Sequence, residues 1–305
     1  MLNYLKASIV IPHFNNNLRL EKTLYAVKRE INKQKNIQVI VVDNKSDLSP
    51  RSFVEDLGFL FLEETKYLNS PYSARNRGVE KAAGDIIILL DSTCVPQKNW
   101  LITGLEFMSN NDADIVSANI VYEYASSKPT LSEIWDTALG VNVKKSIEKR
   151  DYAPGGCLFI KRGVFDTLGL FKEGLRSGGD YTFTNMAVNQ GYKLMFCENA
   201  VVKYPAKKLP ELKKKTIRVG RGQIGIWQTS GVFWKYFAGF IIKPFYPPNP
   251  ATLFNRLKNR EKQIKFDWFL LARIYFLHWY LRILQTYGNL TGLFSLVFKR
   301  KQYGV

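Results

Sequence analysis

The stretch that most constrains this chain is residues 84–100, GDIIILLDSTCVPQKNW. Five apolar residues, Ile86 through Leu90, run without alternation. Such a run predicts a strand covered on both faces. It ends on a carboxylate, Asp91. A turn through Thr93 and Pro96 follows, then a helix that Trp100 helps anchor. In an open parallel α/β sheet, ligands bind beyond the carboxyl ends of the strands. Asp91 is therefore expected at the mouth of a site. From position alone a second role stays open, capping the turn or helix that follows.

The rest of the chain repeats this alternation. Strands are expected at 7–12, 38–42, 58–62, 114–122 and 157–160. Helices are expected at 18–31, 72–83, 130–147 and near Val164, with another from Asp180 to about Gln190, stopped by Gly191. Strands alternating with helices in this way predict an α/β, doubly wound, mostly parallel sheet. A second strand also ends on an aspartate, Asp43, followed by the turn-forming DNKSDLSP. Carboxylates at strand ends are placed to accept from ribose hydroxyls or a base edge. No GxGxxG follows the first strand, and no GxxxxGK[ST] occurs anywhere. A dinucleotide fingerprint and a P-loop are thereby excluded.

Two further stretches carry chemistry. SPYSARNRG (70–78) sets Arg75 and Arg77 on an early helical turn, where guanidinium donors and free N–H groups suit a phosphate. Gly178-Gly179 precede Asp180, a residue type that caps helices. The glycine pair implies that another group comes close to the backbone there.

Composition adds bounds. With 46% apolar residues the chain can bury a real core. It has no run of about 18 uncharged apolar residues, the length of a membrane span. Its N-terminus lacks a signal-peptide pattern. Cys94, Cys157 and Cys197 are too scattered for a disulfide framework or a zinc site, and fit a reducing cytosol. The net charge of +18 is unevenly placed: residues 201–305 hold 20 Lys+Arg against 3 Asp+Glu. That basic half is also rich in Trp, Tyr and Phe, which suits an anionic membrane surface. Its apolar residues come in long blocks rather than interleaved single rings, which argues against a nucleic-acid partner.

With those residues in view, the chain resembles the inverting GT-A glycosyltransferases of glycosyltransferase family 2. SIVIPHFN, VVDNKSD, SPYSARNRGVEKAAGDIIILLDSTCVPQKNWL, LRSGGDYTFTNMAVNQGYKLMFCENAVVKYP and RVGRGQ look like the family's blocks in the correct order, over roughly residues 7–222. The resemblance implies a GT-A domain at 1–222 and a nucleotide-sugar donor. On matching positions, Pro12, Phe14 and Asp43 would meet the nucleoside, and Arg75 and Asn76 the nucleotide or its phosphates. Asp91 would be the first aspartate of the DxD motif, with Thr93 and Gly179 also lining the donor. Asp180 would be the general base that deprotonates an acceptor hydroxyl.

Two positions depart from the pattern. Thr93 stands where the DxD has its second aspartate. Tyr204-Pro205 stands near where related sequences often carry His-Pro. Both usual side chains are plausible metal ligands. Three outcomes follow. Asp91 with water and donor phosphates holds Mg²⁺ or Mn²⁺; or cations such as Arg75, Lys203, Arg218 or Arg221 replace the metal; or the chain is a nucleotide-sugar-binding pseudoenzyme.

Residues 223–305 are expected to form a basic, amphipathic helical extension, associated with the membrane or packed on the catalytic domain. On a helical projection Asp267, His278, Arg282, Gln285 and Asn289 share a narrow polar stripe. The expected setting is the cytosolic face of a membrane, with a glycan or lipid-linked acceptor. The residues carry no signal for oligomeric state.

Overall fold

The computed structural model describes residues 6–32, 36–229, 233–242, 244–260 and 264–297. In chain order the elements are β1 (Ala7–His13), α1 (Asn17–Ile31), β2 (Ile37–Asp43), α2 (Arg51–Asp56), β3 (Leu60–Glu63), α3 (Pro71–Lys81), β4 (Ile86–Leu90), β5 (Val95–Pro96), α4 (Trp100–Asn110) and β6 (Ile115–Glu123). There follow α5 (Leu131–Leu139), α6 (Val143–Arg150), β7 (Cys157–Lys161), α7 (Arg162–Leu168), α8 (Gly179–Asn189), β8 (Leu194–Pro205), α9 (Leu209–Thr229), α10 (Phe233–Ile242), α11 (Pro250–Arg260) and α12 (Trp268–Val297).

Two compact units divide the described residues. One runs to Val121 and resumes over Asn142–Tyr204; the other holds Tyr122–Val141 and the chain from Pro205 onward. The boundary expected at residue 222 falls inside α9.

The sheet orders its strands β3-β2-β1-β4-β7-β6-β8-β5. β3, β2, β1 and β4 are parallel, as the alternation of strands and helices predicts. Beyond β4 the sheet turns antiparallel, because β7 inserts against both β4 and β6. β5 pairs antiparallel with β8. Every residue of β1 and β4 is buried, since helices cover both faces. Successive side chains of a strand point to opposite faces. Thus Ile86, Ile88 and Leu90 pack with Leu20, Leu24 and Trp100 on one face. Ile87 and Leu89 pack with Ala74 and Val79 on the other. Trp100 is fully buried and donates its indole N–H to Cys157 Sγ at 3.3 Å. The three cysteines are buried and form no disulfide.

Three sequence expectations shift. The helix expected at 130–147 is two helices, α5 and α6, parted at Gly140, whose backbone is extended at ψ −163°. Asn142 then caps α6 by accepting from the Lys145 N–H at 3.0 Å. The turn-rich segment after Asp43 continues into a short helix, α2. The N-cap of α8 is Gly178, with φ +88°, rather than Asp180, which lies one residue inside the helix.

The second unit is helical. Ile134 and Ala138 of α5, Leu253 and Leu257 of α11, and Leu271 and Ile274 of α12 form one apolar core. Leu212 of α9 packs with Leu277 and Leu281 of α12.

Candidate active site

The site is built where β2, β4 and the start of α3 end. Ser70 caps α3 by accepting from the Ser73 N–H at 3.2 Å, with Pro71 at the first helical position. That pairing of cap and proline fixes where the helix begins. Asn44, just past β2, steers the approach to it. Its amide donates to the carbonyls of Tyr67 and Ser70 at 3.2 and 3.1 Å, and its oxygen accepts from the Asn69 N–H. The start of α3 and the end of β2 are thereby one construction.

Arg75 projects from the second turn of α3 and is buried, with 4% of its side chain exposed. Its Nη2 donates to Asp91 Oδ1 at 2.5 Å and to the Gly155 carbonyl at 2.9 Å. Burial opposes its charge, but Asp91, Tyr72 and Asp180 outweigh that and hold its pKa above the ordinary value. Asp91 is a third exposed, so the pair joins a buried cation to an accessible carboxylate.

Asp180 stands on the other side of Gly155. Its Oδ2 accepts from the Gly155 N–H at 2.6 Å, and its Oδ1 accepts from the Tyr72 hydroxyl at 2.7 Å. Gly155 therefore bridges the two carboxylates: its carbonyl receives the cation bound to Asp91, and its N–H holds Asp180. A Cβ at Gly155 would sit 3.1 Å from Asp180 Cβ and 3.3 Å from Arg75 Nη1. At Gly179 it would sit 2.7 Å from the Tyr72 ring. The close approach implied by the Gly178-Gly179 pair is that of Tyr72.

The remaining expected residues distribute as follows. Asp43 is buried and accepts from the Ser46 N–H at 3.0 Å and the Ser46 hydroxyl at 2.5 Å. Pro12 lies beside Val42 in the ladder, and His13 beside Asp43. Phe14, immediately after, is substantially exposed. Asn76 is clamped on the backbone of Phe171, donating to its carbonyl at 2.8 Å and accepting its N–H at 3.0 Å. Thr93 lies in the turn between β4 and β5, closed by the Cys94 N–H on the Asp91 carbonyl at 2.8 Å. Lys203 is opposite Val95 in the β5–β8 ladder, and Tyr204 packs half-buried against the core. Arg218 and Arg221 belong to α9 in the other unit.

Sequence reasoning missed Tyr72, Gly155 and Asn44. Tyr72 sits inside SPYSARNRG, and its ring was the available signal. Nothing in the sequence connects it with a residue 108 positions away.

Comparison with known proteins fits this geometry. The family model described as glycosyl transferase family 2 matches residues 8–169. The glycosyltransferase AglE of Haloferax volcanii is 30% identical over 294 residues, covering 93% of this chain and 95% of that protein. The chain belongs to glycosyltransferase family 2. Like other members, this family 2 glycosyltransferase is a nucleotide-sugar-dependent transferase. It is also similar to the GalNAc(5)-diNAcBac-PP-undecaprenol beta-1,3-glucosyltransferase of Campylobacter jejuni, 26% identical over 91 residues, or 28% of this chain and 29% of that one. The mannosyltransferase PcManGT of Pyrobaculum calidifontis, solved with GDP-Man and Mn2+, superposes with TM-score 0.63 at 14% identity, over 95% of this chain and 88% of that one. S. aureus TarS 1-349 with UDP superposes with TM-score 0.53 at 14% identity, over 97% and 92%. These structures share the GT-A fold of the family 2 enzyme.

The residues present fit a divalent cation in one limited way. Asp91 supplies a single carboxylate, one oxygen of which already receives Arg75. Among the described residues no cluster of three His, Cys, Asp or Glu surrounds it. Such a site holds Mg²⁺ or Mn²⁺ only where phosphate and water complete the shell.

Proposed function

We propose that this chain is an inverting glycosyltransferase that moves a sugar from a nucleotide-sugar donor to a hydroxyl of a glycan or lipid-linked acceptor. The observation that carries the reading is the bridge at Gly155, which ties the acceptor-side carboxylate Asp180 to the donor-side pair Arg75–Asp91. In this reading Asp180 accepts the proton of the acceptor hydroxyl. Each of its oxygens keeps a second lone pair beyond those taken by Tyr72 and Gly155. The hydroxyl oxygen then attacks the anomeric carbon in line, and the bond to the diphosphate breaks with inversion.

Arg75 faces the departing diphosphate; its Nε–H has no acceptor among the described residues. Asp91 holds a sugar hydroxyl, or the metal when one is bound, which would supply positive charge at the phosphates. Pro12, Phe14 and Asp43 flank the nucleoside, and Asn76 orders the loop beneath. Functionally, residues 1–222 form the catalytic part and 223–305 the part that meets the membrane. The nucleotides bound to the structural neighbours, GDP-Man in PcManGT and UDP in TarS 1-349, span two nucleobases. The undecaprenol-linked substrate named for the C. jejuni relative supports a lipid-linked acceptor and a peripheral location on the cytosolic membrane face. No helix among the described residues is long and apolar enough to cross a membrane.

A second reading, a nucleotide-sugar-binding pseudoglycosyltransferase, draws on Thr93 and the single carboxylate at the donor site. Asp180→Ala separates the two. An active enzyme loses transfer while nucleotide-sugar binding, read by thermal shift, persists. If the wild type binds nucleotide sugars but transfers to no acceptor, the enzymatic reading fails.

A further inference from the structure

Helix α12 is amphipathic in the reverse of the usual sense. Of the polar stripe expected from its sequence, His278, Gln285 and Asn289 turn inward, while the exposed Asp267 caps the helix by accepting the Leu270 N–H at 2.7 Å. His278 Nδ1 accepts the Trp135 indole N–H at 3.2 Å. Asn289 is buried, donating to the Gly220 carbonyl at 2.8 Å and to Gln223 Oε1 at 3.2 Å. Gln285 donates to the same Gln223 oxygen at 3.1 Å. With its polar groups bonded to α5 and α9, the helix turns a hydrophobic face outward.

That face is regular. Phe269, Phe276, Tyr280, Ile283, Tyr287, Leu290 and Phe294 are all exposed, at spacings of three, four or seven, and Arg273 fills the remaining place. The stripe runs for about 37 Å at 1.5 Å per residue. Beside it the Trp279 indole donates to the Pro244 carbonyl at 2.8 Å, which brings in the next two rings, Phe245 and Tyr246. Phe245 is 81% exposed. An apolar face of this extent marks an interaction surface.

We infer that this face of α12, with Phe245 and Tyr246, lies in the interfacial layer of an anionic lipid bilayer. The inference rests on the proposed membrane location and assigns the surface responsible. Charge selects the occupant. α12 contains no Asp or Glu, and residues 201–305 hold only three. Lys213 sits over the Tyr280 ring at 5.1 Å and Arg273 over the Phe269 ring at 5.5 Å. Cations seated on exposed rings place ammonium and guanidinium groups at the level of lipid phosphates while the rings enter the acyl boundary. A second copy of the chain would bring the same cations face to face without acids to pair them. Lipid headgroups supply the missing anions.

The test uses the full chain. Its native cysteines are buried, so Leu290→Cys can be labelled selectively with an environment-sensitive fluorophore. With vesicles of phosphatidylglycerol and phosphatidylcholine at low salt, the label should shift to the blue. With phosphatidylcholine alone, or at high salt, the shift should fall away. The unlabelled variant Phe276→Glu with Ile283→Glu should cosediment with anionic vesicles about tenfold less than wild type, with nucleotide-sugar binding unchanged. If wild type binds the vesicles and the label does not move, the face is wrong while the membrane location stands. If wild type fails to bind anionic vesicles, both fall. If the label shifts in proportion to protein concentration without lipid, and the chain is dimeric, the occupant is a second copy and the inference is overturned. The catalytic reading is independent of all three, since transfer to a soluble acceptor reports it separately.

Discussion

The Tyr72 hydroxyl donates to Asp180 Oδ1 at 2.7 Å, across 108 residues of sequence. The ring is held by Gly179, which packs flat against it, and by Phe171, 5.7 Å away between centroids. Tyr72 thus orients the carboxylate proposed as base without needing to touch substrate. Tyr72→Phe keeps the packing and removes one hydrogen bond. It should lower kcat by about tenfold, the worth of one hydrogen bond to a charged group. The KM for the nucleotide sugar should hardly change, because the proposed donor contacts are on the Arg75–Asp91 side. Steady-state kinetics alongside a melting curve checks this; an equal fall in kcat and in stability would mean a purely structural tyrosine. Gly179→Ala should act more severely, since its Cβ would overlap the Tyr72 ring.

Arg75 is buried and Asp91 is its carboxylate partner. Removing one member of a buried pair leaves the other charge uncompensated. Asp91→Asn should therefore destabilise the fold by about 1–3 kcal/mol, the range for a polar partner lost from a buried group, discounted because Asp91 is partly exposed. Urea denaturation measures it. The same substitution should weaken nucleotide-sugar binding. A variant as stable as wild type would show that the Gly155 carbonyl alone suffices for Arg75.

The strand ends were legible because buried parallel strands need unbroken apolar runs. Ile86 through Leu90 and Val39 through Val42 announce themselves, and with them the positions of Asp91 and Asp43. What is nonlocal was not legible. No local pattern says that β7 enters antiparallel between β4 and β6, since its CLFIK reads like any buried strand. The helix expected at 130–147 divides because Gly140 leaves helical geometry and Asn142 caps anew, two local signals outweighed by the apolar spacing on either side. Asp180 looked like a helix cap because Asp so often is one. Its carboxylate is instead drawn to Gly155 and Tyr72, partners fixed only by the tertiary fold. The polar stripe of α12 was visible in the projection, but which way it faced depended on Trp135, Gln223 and Gly220.

In the proposed reading Thr93 leaves the donor side with a single carboxylate, and its replacement makes a direct test of the metal. If phosphate and water complete the shell around Asp91, excess chelator should lower transfer substantially and added Mn²⁺ should restore it. Thr93→Asp would add a second oxygen ligand in the same turn. Manganese affinity, measured by calorimetry in the presence of the nucleoside diphosphate, should then rise about tenfold or more, the scale of one added charged ligand. Full activity of wild type in excess chelator would mean that Arg75 and neighbouring cations carry the diphosphate charge alone.

His13 gives the fold a pH dependence whose sign is fixed by burial. The imidazole is 2% exposed, and its Nδ1 has no partner among the described residues. Burial lowers its pKa, and the Asn17 hydrogen bond and the nearby Asp43 only partly oppose this. The native state therefore binds the proton less readily than the unfolded chain, whose histidine titrates near the ordinary value of about 6.5. Above that pH both states are neutral and the group contributes nothing. Below it the unfolded chain is protonated first, and stability is lost by up to about 1.4 kcal/mol per pH unit until the native imidazole also titrates. Denaturation at pH values between about 7.5 and 5.5 should show this slope, and His13→Gln should flatten it. His278, the other histidine, is present in both proteins and cancels in the comparison. A slope unchanged by His13→Gln would assign the pH dependence to His278 or to the carboxylates instead.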